Sequence, residues 1–314
     1  MPELEGLRLN PAYHERVWGG QRLSPATPRI GEAWIVHEEN RVTDGPQTGR
    51  TLAELTAKYG EALLGRVPLA RTGDRFPLLI KILDAADWLS VQVHPNDEQA
   101  VQLVGPGYFG KTEAWHILEA APGAQLIAGL KPGTTHDKLA GAIRAGTVTD
   151  LSRYLTVAAG DTVFIGAGTL HALGPGLLLY EIQQTSDITY RVFDWDRPQS
   201  AGRALHIEQS LAVTNPAIAG EVQAPPLAGQ TIGGLVACPY FTLEQVVGAD
   251  EPIDLDTAGQ SFHALTVIEG AARIVGAGWQ HTLGRFGSVV VPAAVGTYQV
   301  RPQGACRLLK ASVV

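Results

Sequence analysis

The chain has 314 residues, of which 36 are glycine and 20 proline, a density of turn formers that suits many short strands and argues against a coiled coil or helical bundle. With 45% hydrophobic residues it can bury a sizeable core in one large domain or two of ordinary size, and extended disorder is disfavoured. Twenty-four basic against thirty-one acidic residues leave a net charge of −7 with no Lys/Arg-rich run, so neither a nucleic acid nor an anionic membrane meets a matching surface.

The start, Met1-Pro2-Glu3-Leu4-Glu5, has no apolar signal core, and no run approaches the roughly 18 apolar residues of a membrane span, so the expected location is cytoplasmic. Thr51-Leu52-Ala53-Glu54 is a capping-box pattern, and Leu52, Leu55, Tyr59 and Leu63 follow at helical spacing, which predicts a helix over 51–64. Pro77 to Leu83 and Trp88 to His94 read as strands. Asn96 then caps a short helix carrying Ala100, Val101 and Val104. Glu113 to Leu118 reads as strand, and Thr134-Thr135 opens a helix with Leu139 and Ile143 inward. Thr162 to Ile165 and Leu177 to Gln183 are again short, apolar strands bounded by turn residues.

The stretch Asn215 to Gln230, with three prolines and little periodicity, is the expected linker and sets a boundary at 220/221. Beyond it Tyr240 to Val247, Phe262 to Glu269, Ala272 to Val275, Ser288 to Val291 and Thr297 to Val300 read as strands without a helix. The two cysteines, Cys238 and Cys306, imply neither a disulfide framework nor a Cys-based zinc site and are expected as buried fillers. Gly160-Asp161 through Gly168 and Phe286-Gly287 through Ala294 echo one another as turn, buried strand, turn. Counting onward, the first copy places His171 where the second places Thr297.

Leu89-Ser90-Val91-Gln92-Val93-His94-Pro95 alternates strictly, so Ser90, Gln92 and His94 share one face of a strand. On a solvated face they are a wet surface; inside a barrel they converge on a cavity, where buried polar groups need partners such as a metal. Lys111 and Glu113 likewise share a face that Trp115 continues, either as a surface ion pair or as part of a site. Two turns then bracket a buried strand and deliver His171 just after the second, a pattern that resembles the second signature motif of the cupin superfamily with Gly166 in place of the usual proline. Gln92, His94, Glu113 and His171 together offer two imidazole nitrogens, a carboxylate and an amide oxygen, a set suited to Zn²⁺. His94, Glu113 and His171 alone also match a two-His, one-carboxylate iron triad, so ligand type leaves the metal open.

Tyr180 through Trp195, containing Glu181-Ile182-Gln183-Gln184-Thr185-Ser186-Asp187-Ile188-Thr189-Tyr190-Arg191, completes the picture. With Gln92-Val93-His94-Pro95-Asn96 and Lys111-Thr112-Glu113 it closely resembles the type I mannose-6-phosphate isomerases in their short bacterial form. Arg16-Val17-Trp18-Gly19-Gly20, Gly31-Glu32-Ala33-Trp34, Gly129 through Gly133 and Leu205-His206-Ile207 extend the match over most of the chain. The resemblance implies a mainly β fold of two cupin-like jelly-roll β-barrels with a few short helical insertions in the N-terminal part. Residues 1–220 would form the catalytic cupin domain and 221–314 a cupin-like domain without metal ligands. It implies Zn²⁺ held by Gln92, His94, Glu113 and His171, and interconversion of mannose 6-phosphate and fructose 6-phosphate through a cis-enediol. Arg191 becomes the active-site arginine, Lys111, Ser90 and Lys81 lie near the substrate or its phosphate, and Glu181 and Asp187 compete as proton shuttle, with Glu181 preferred. Trp18 either closes over the substrate or packs. The implied partner is a small sugar phosphate, with no obligate protein partner. Gly166, His116 and Val36-His37-Glu38 depart from the family pattern and bear on substrate preference. His206 precedes a short helix as a capping, core or site residue alike, and His14, His136, His263 and His281 are expected at the surface or in local hydrogen bonds. A non-catalytic sugar-binding cupin and an iron-dependent cupin enzyme are the competing readings.

Overall fold

Strand alternation across the chain resolves into four sheets in the computed structural model, which describes residues 4–24, 28–198 and 203–313. The chain divides into two compact units, one of Met1–Ala12, Ala33–Ile82 and Ala224–Val314, the other of Tyr13–Glu32 and Leu83–Gln223. A single cut at 220/221 follows the linker but not this division. The N-terminal segments cluster with the C-terminal strands through contacts remote in sequence: Leu64 O accepts the Phe262 N–H at 2.9 Å, and the Phe76 and Phe262 rings lie 4.7 Å apart. Gly65, at φ +89°, allows that approach, since a Cβ there would stand 2.3 Å from Gln260 O.

In the first unit a six-stranded sheet runs Leu7–Arg8, Ser288–Val291, His263–Glu269, Cys306–Ser312, Thr242–Gly248, Ile232–Ala237. A four-stranded sheet runs Ile253–Asp256, Thr297–Pro302, Ala272–Gly276, Trp279–Leu283. Val246, Leu265, Val267, Val289 and Leu308 from one and Leu255, Ile274, Leu283 and Val300 from the other make one buried cluster, the core of a β-sandwich. The helix expected over 51–64 is two helices, Leu52–Tyr59 and Glu61–Leu64, because Gly60 at φ +46° ends the first with its N–H on Thr56 O. The capping box at Thr51 forms as its sequence dictates. A further helix, Arg66–Thr72, escapes the sequence reading because Pro68 reads as a breaker, although its first turn tolerates proline.

His263 is not a surface residue. It is buried in this unit with Nδ1 2.8 Å from the Tyr298 hydroxyl, and burial, helped by the Lys310 charge, pushes its pKa down to about 3. The unfolded imidazole takes up a proton near its ordinary 6.5 and the folded one does not, so this contribution is complete above pH 6.5 and lost as pH falls toward 3. Between pH 7 and 5 it amounts to about 2 kcal/mol. Denaturant titrations should therefore show a flatter pH dependence in His263→Gln than in the wild type over that interval; equal slopes would contradict the assignment. His281 is also buried, with Nε2 2.7 Å from Gly6 O. Of the cysteines, Cys306 is buried and Cys238 half-buried with its thiol on Phe241 O.

In the second unit a five-stranded sheet runs Tyr190–Phe193, Val91–Val93, His171–Leu173, Gln125–Leu130, Ser152–Thr156. The larger sheet runs Glu221–Val222, Thr162–Ile165, Glu113–Ala120, Leu177–Gln184, Leu78–Ala85, Ala12–Gly20, Ile30–Val36, and Leu78–Ala85 and Ile30–Val36 continue along the chain from one unit to the other. Leu126, Ala128 and Leu173 meet Trp115, Ile117, Val163, Ile165, Leu177 and Leu179 in one cluster between the sheets. On the outer face of the five-stranded sheet, Val91, Val93, Ala172 and Val192 pack against helix residues Leu139, Ile143, Leu211 and Val213. The helices Asp97–Leu103 and His136–Ala145 stand where their caps Asn96 and Thr135 predict, though Val101 and Val104 are exposed. Among the described residues no helix is long and apolar enough to cross a membrane.

Candidate active site

Because Val91, Val93, Ala172 and Val192 face outward, the residues between them face inward. Cα pairing sets Gln92 opposite both His171 and Arg191, so these three side chains stand abreast on the inner face of the five-stranded sheet. On the larger sheet, Glu113 pairs with Gln183 and Trp115 with Glu181, and all four point inward beside Ile117 and Leu179. The strand expected over 88–94 is only Val91–Val93, yet the alternation carries past its end and buries both Ser90 and His94. The turn that delivers His171 needs Gly168 at φ +84°, and its N–H donates to His94 O at 2.8 Å, tying the two histidine segments together.

Ligand atoms of His94, Glu113 and His171 all lie within 4.8 Å of one another, and the three residues are buried. His94 Nδ1 lies 2.8 Å from Ile188 O and His171 Nδ1 2.8 Å from Thr169 O. Carbonyls only accept, so each Nδ1 carries a proton, and Nε2 is the nitrogen each ring turns toward the cluster. Burial lowers the pKa of His171 against the pull of Glu113, which keeps the ring neutral, the ligating form. Both Glu113 oxygens are buried without a well-directed hydrogen bond, although Lys111 Nζ lies 3.0 Å from Oε2 and His171 Nε2 3.2 Å from Oε1. A desolvated carboxylate between two imidazoles fits a divalent cation. Gln92 borders the cluster with Nε2 3.2 Å from His171 Nε2; turning its amide over would present the oxygen.

Lys111 is buried, with Nζ also 3.1 Å from His94 Nε2, so it belongs to the site and is no surface ion pair. Its segment is clamped in a way the sequence reading missed. Gln184 Oε1 accepts the Thr112 N–H at 2.9 Å, Gln184 Nε2 donates to Asp97 Oδ1 at 2.9 Å, and the same oxygen accepts the Gly110 N–H at 2.7 Å. Only the helix start at Asn96-Asp97 was legible there. Glu181 is buried and accepts the Trp115 indole N–H at 2.9 Å, while the Trp115 ring meets His171 edge-on. Asp187 is exposed between Leu177–Gln184 and Tyr190–Phe193. Arg191 is half-buried, its pKa lowered by burial and by the charge of Arg203. Trp18 is buried in the apolar cluster with Leu83 and Ala85, the packing alternative. Lys81 lies in the other unit, buried, with Nζ 5.5 Å from the Trp34 ring centroid. His116 points to the opposite face from Trp115, its Nδ1 2.9 Å from Thr162 Oγ1.

Paired β-sheets enclosing a His, carboxylate, His cluster place the protein in the cupin class, with a candidate metal centre in one of its two units. Residues 7–109 match the family model for the phosphomannose isomerase type I catalytic domain. Mannose-6-phosphate isomerase ManA of Bacillus subtilis is 34% identical over 318 residues, covering 96% of this chain and 98% of that protein. The mannose-6-phosphate isomerase of Streptococcus mutans is 35% identical over 311 residues, covering 94% and 95%. A crystal structure of the mannose 6-phosphate isomerase from Bacillus subtilis superposes with a TM-score of 0.87 at 30% identity, over 98% of this chain and 99% of that one. The chain belongs to the type I mannose-6-phosphate isomerase family.

Proposed function

We propose that this protein interconverts mannose 6-phosphate and fructose 6-phosphate by proton transfer through a cis-enediol, with a divalent cation, Zn²⁺, held by His94, Glu113, His171 and the turned amide of Gln92. The observation that carries the reading is the buried Glu113 carboxylate, unsatisfied by hydrogen bonds and clustered with the His94 and His171 imidazoles within 4.8 Å. When bound, the cation would supply Lewis-acid polarisation of the sugar oxygens.

The hard step is removing a proton from carbon. Glu181, held by the Trp115 indole on the inner face, takes the C2 proton of the aldose and returns it to C1, while the C1 oxygen gains a proton and the C2 oxygen loses one. Arg191 stands next to Gln92 in the strand register, at the ligand end of the sheet, and its planar fork faces developing negative charge on the enediolate oxygens. The Lys111 ammonium, inside the same cluster, donates to a sugar oxygen and helps exclude water. Ser90, buried two residues before Gln92, supplies a hydroxyl to the same face.

Proton NMR of mannose 6-phosphate turned over in D₂O tests the route. Fructose 6-phosphate carrying solvent deuterium at C1 in at least a fraction of turnovers is expected. Complete retention of the C2 hydrogen would contradict a base that exchanges with solvent at the enediol stage, and absence of turnover would contradict the isomerase reading.

A further inference from the structure

Arg191 is held at three points by one short segment. Its backbone N–H donates to His206 Nδ1 at 3.2 Å, its carbonyl accepts the His206 N–H at 2.8 Å, and its Nη1 donates to Ala204 O at 3.1 Å. His206 directly precedes the helix Ile207–Val213, yet its side chain makes no capping bond. Its imidazole is spent on Arg191, and its ring meets Tyr190 edge-on at 6.0 Å. The segment is pinned in turn by Arg203, whose Nε donates to Asp194 Oδ2 at 2.7 Å and whose Nη2 reaches Oδ1; Arg197 approaches the same carboxylate at 3.4 Å. A donating backbone N–H requires Nδ1 to carry a lone pair. Burial and the nearby Arg191 charge lower the His206 pKa and keep it in that form.

Resting on the isomerase reading, we propose that His206 is a positioning residue for Arg191: its neutral Nδ1 sets the backbone from which the guanidinium reaches the substrate. It touches neither the candidate metal ligands nor the reacting atoms in this account; it acts through Arg191. A displaced charge-stabilising group costs transition-state energy more than ground-state binding, so the effect should fall on kcat.

The test is a mutant cycle read with mannose 6-phosphate on the metal-loaded enzyme, with thermal unfolding beside it. His206→Phe keeps a ring against Tyr190 and removes the acceptor, and is expected to lower kcat about 10-fold with KM within about twofold. His206→Asn places an oxygen near the lost nitrogen and should recover most of that loss. In an Arg191→Ala background, His206→Phe should cost less than about twofold, because the group it positions is gone. Losses that multiply independently, or an Asn variant as poor as Phe at equal melting temperature, would overturn the positioning role while wild-type turnover leaves the isomerase reading intact. An inactive wild type would overturn both.

Discussion

Glu113→Gln should leave the protein folded and strip it of its metal, with kcat/KM for mannose 6-phosphate falling by about a thousandfold or more. The substitution keeps shape and removes one negative charge. That charge is the only carboxylate among the clustered ligands, and it sits within 3.0 Å of the Lys111 ammonium and 3.2 Å of His171 Nε2. Without it, a cation would face two imidazoles, an amide and a neighbouring ammonium, and the like-charge repulsion of Lys111 would go unopposed. Elemental analysis of the dialysed variant beside a coupled assay checks this: loss of metal together with activity is expected, and retention of one equivalent at wild-type turnover would remove Glu113 from the ligand set.

The second large effect separates two carboxylates that one stretch of sequence leaves in competition. Glu181→Gln is expected to lower kcat by a factor of about 10² to 10⁴ with little change in KM, because the variant keeps the oxygen that accepts from Trp115 but cannot take a proton. Asp187→Asn should change kcat by less than about threefold, since Asp187 is exposed between the two strands whereas Glu181 is buried beside Trp115. Steady-state kinetics on both variants decides it; a reversed order of losses would move the proton shuttle to Asp187.

The candidate metal site was legible because strand geometry is a short-range rule. Once Gln92 and His94 alternate with Val91 and Val93, and Lys111 and Glu113 lie two apart, each pair shares a face whatever the tertiary context. Bringing the pairs together needed the family resemblance, since no local pattern says that Gln92 will lie opposite His171 and Arg191. What stayed illegible depends on contacts between distant segments. The clamp of Gln184 on Asp97 and Thr112 spans up to 87 positions, and the union of the first helices with the C-terminal strands spans about 200, as in Leu64 with Phe262. Trp18 was open between packing and binding because an aromatic beside two glycines suits either; its burial with Leu83 and Ala85 is decided by what lies across the sheets. His206 and His263 show the same limit. A histidine carries no local sign of whether it will meet water, a backbone N–H or a tyrosine hydroxyl.

The most direct measurement removes the metal from the purified enzyme with a chelator, confirms its loss by elemental analysis, and titrates Zn²⁺ back while following conversion of mannose 6-phosphate to fructose 6-phosphate. The stripped protein should show no turnover, and recovery should saturate at one equivalent per chain. Full turnover by metal-free protein would contradict the metal dependence.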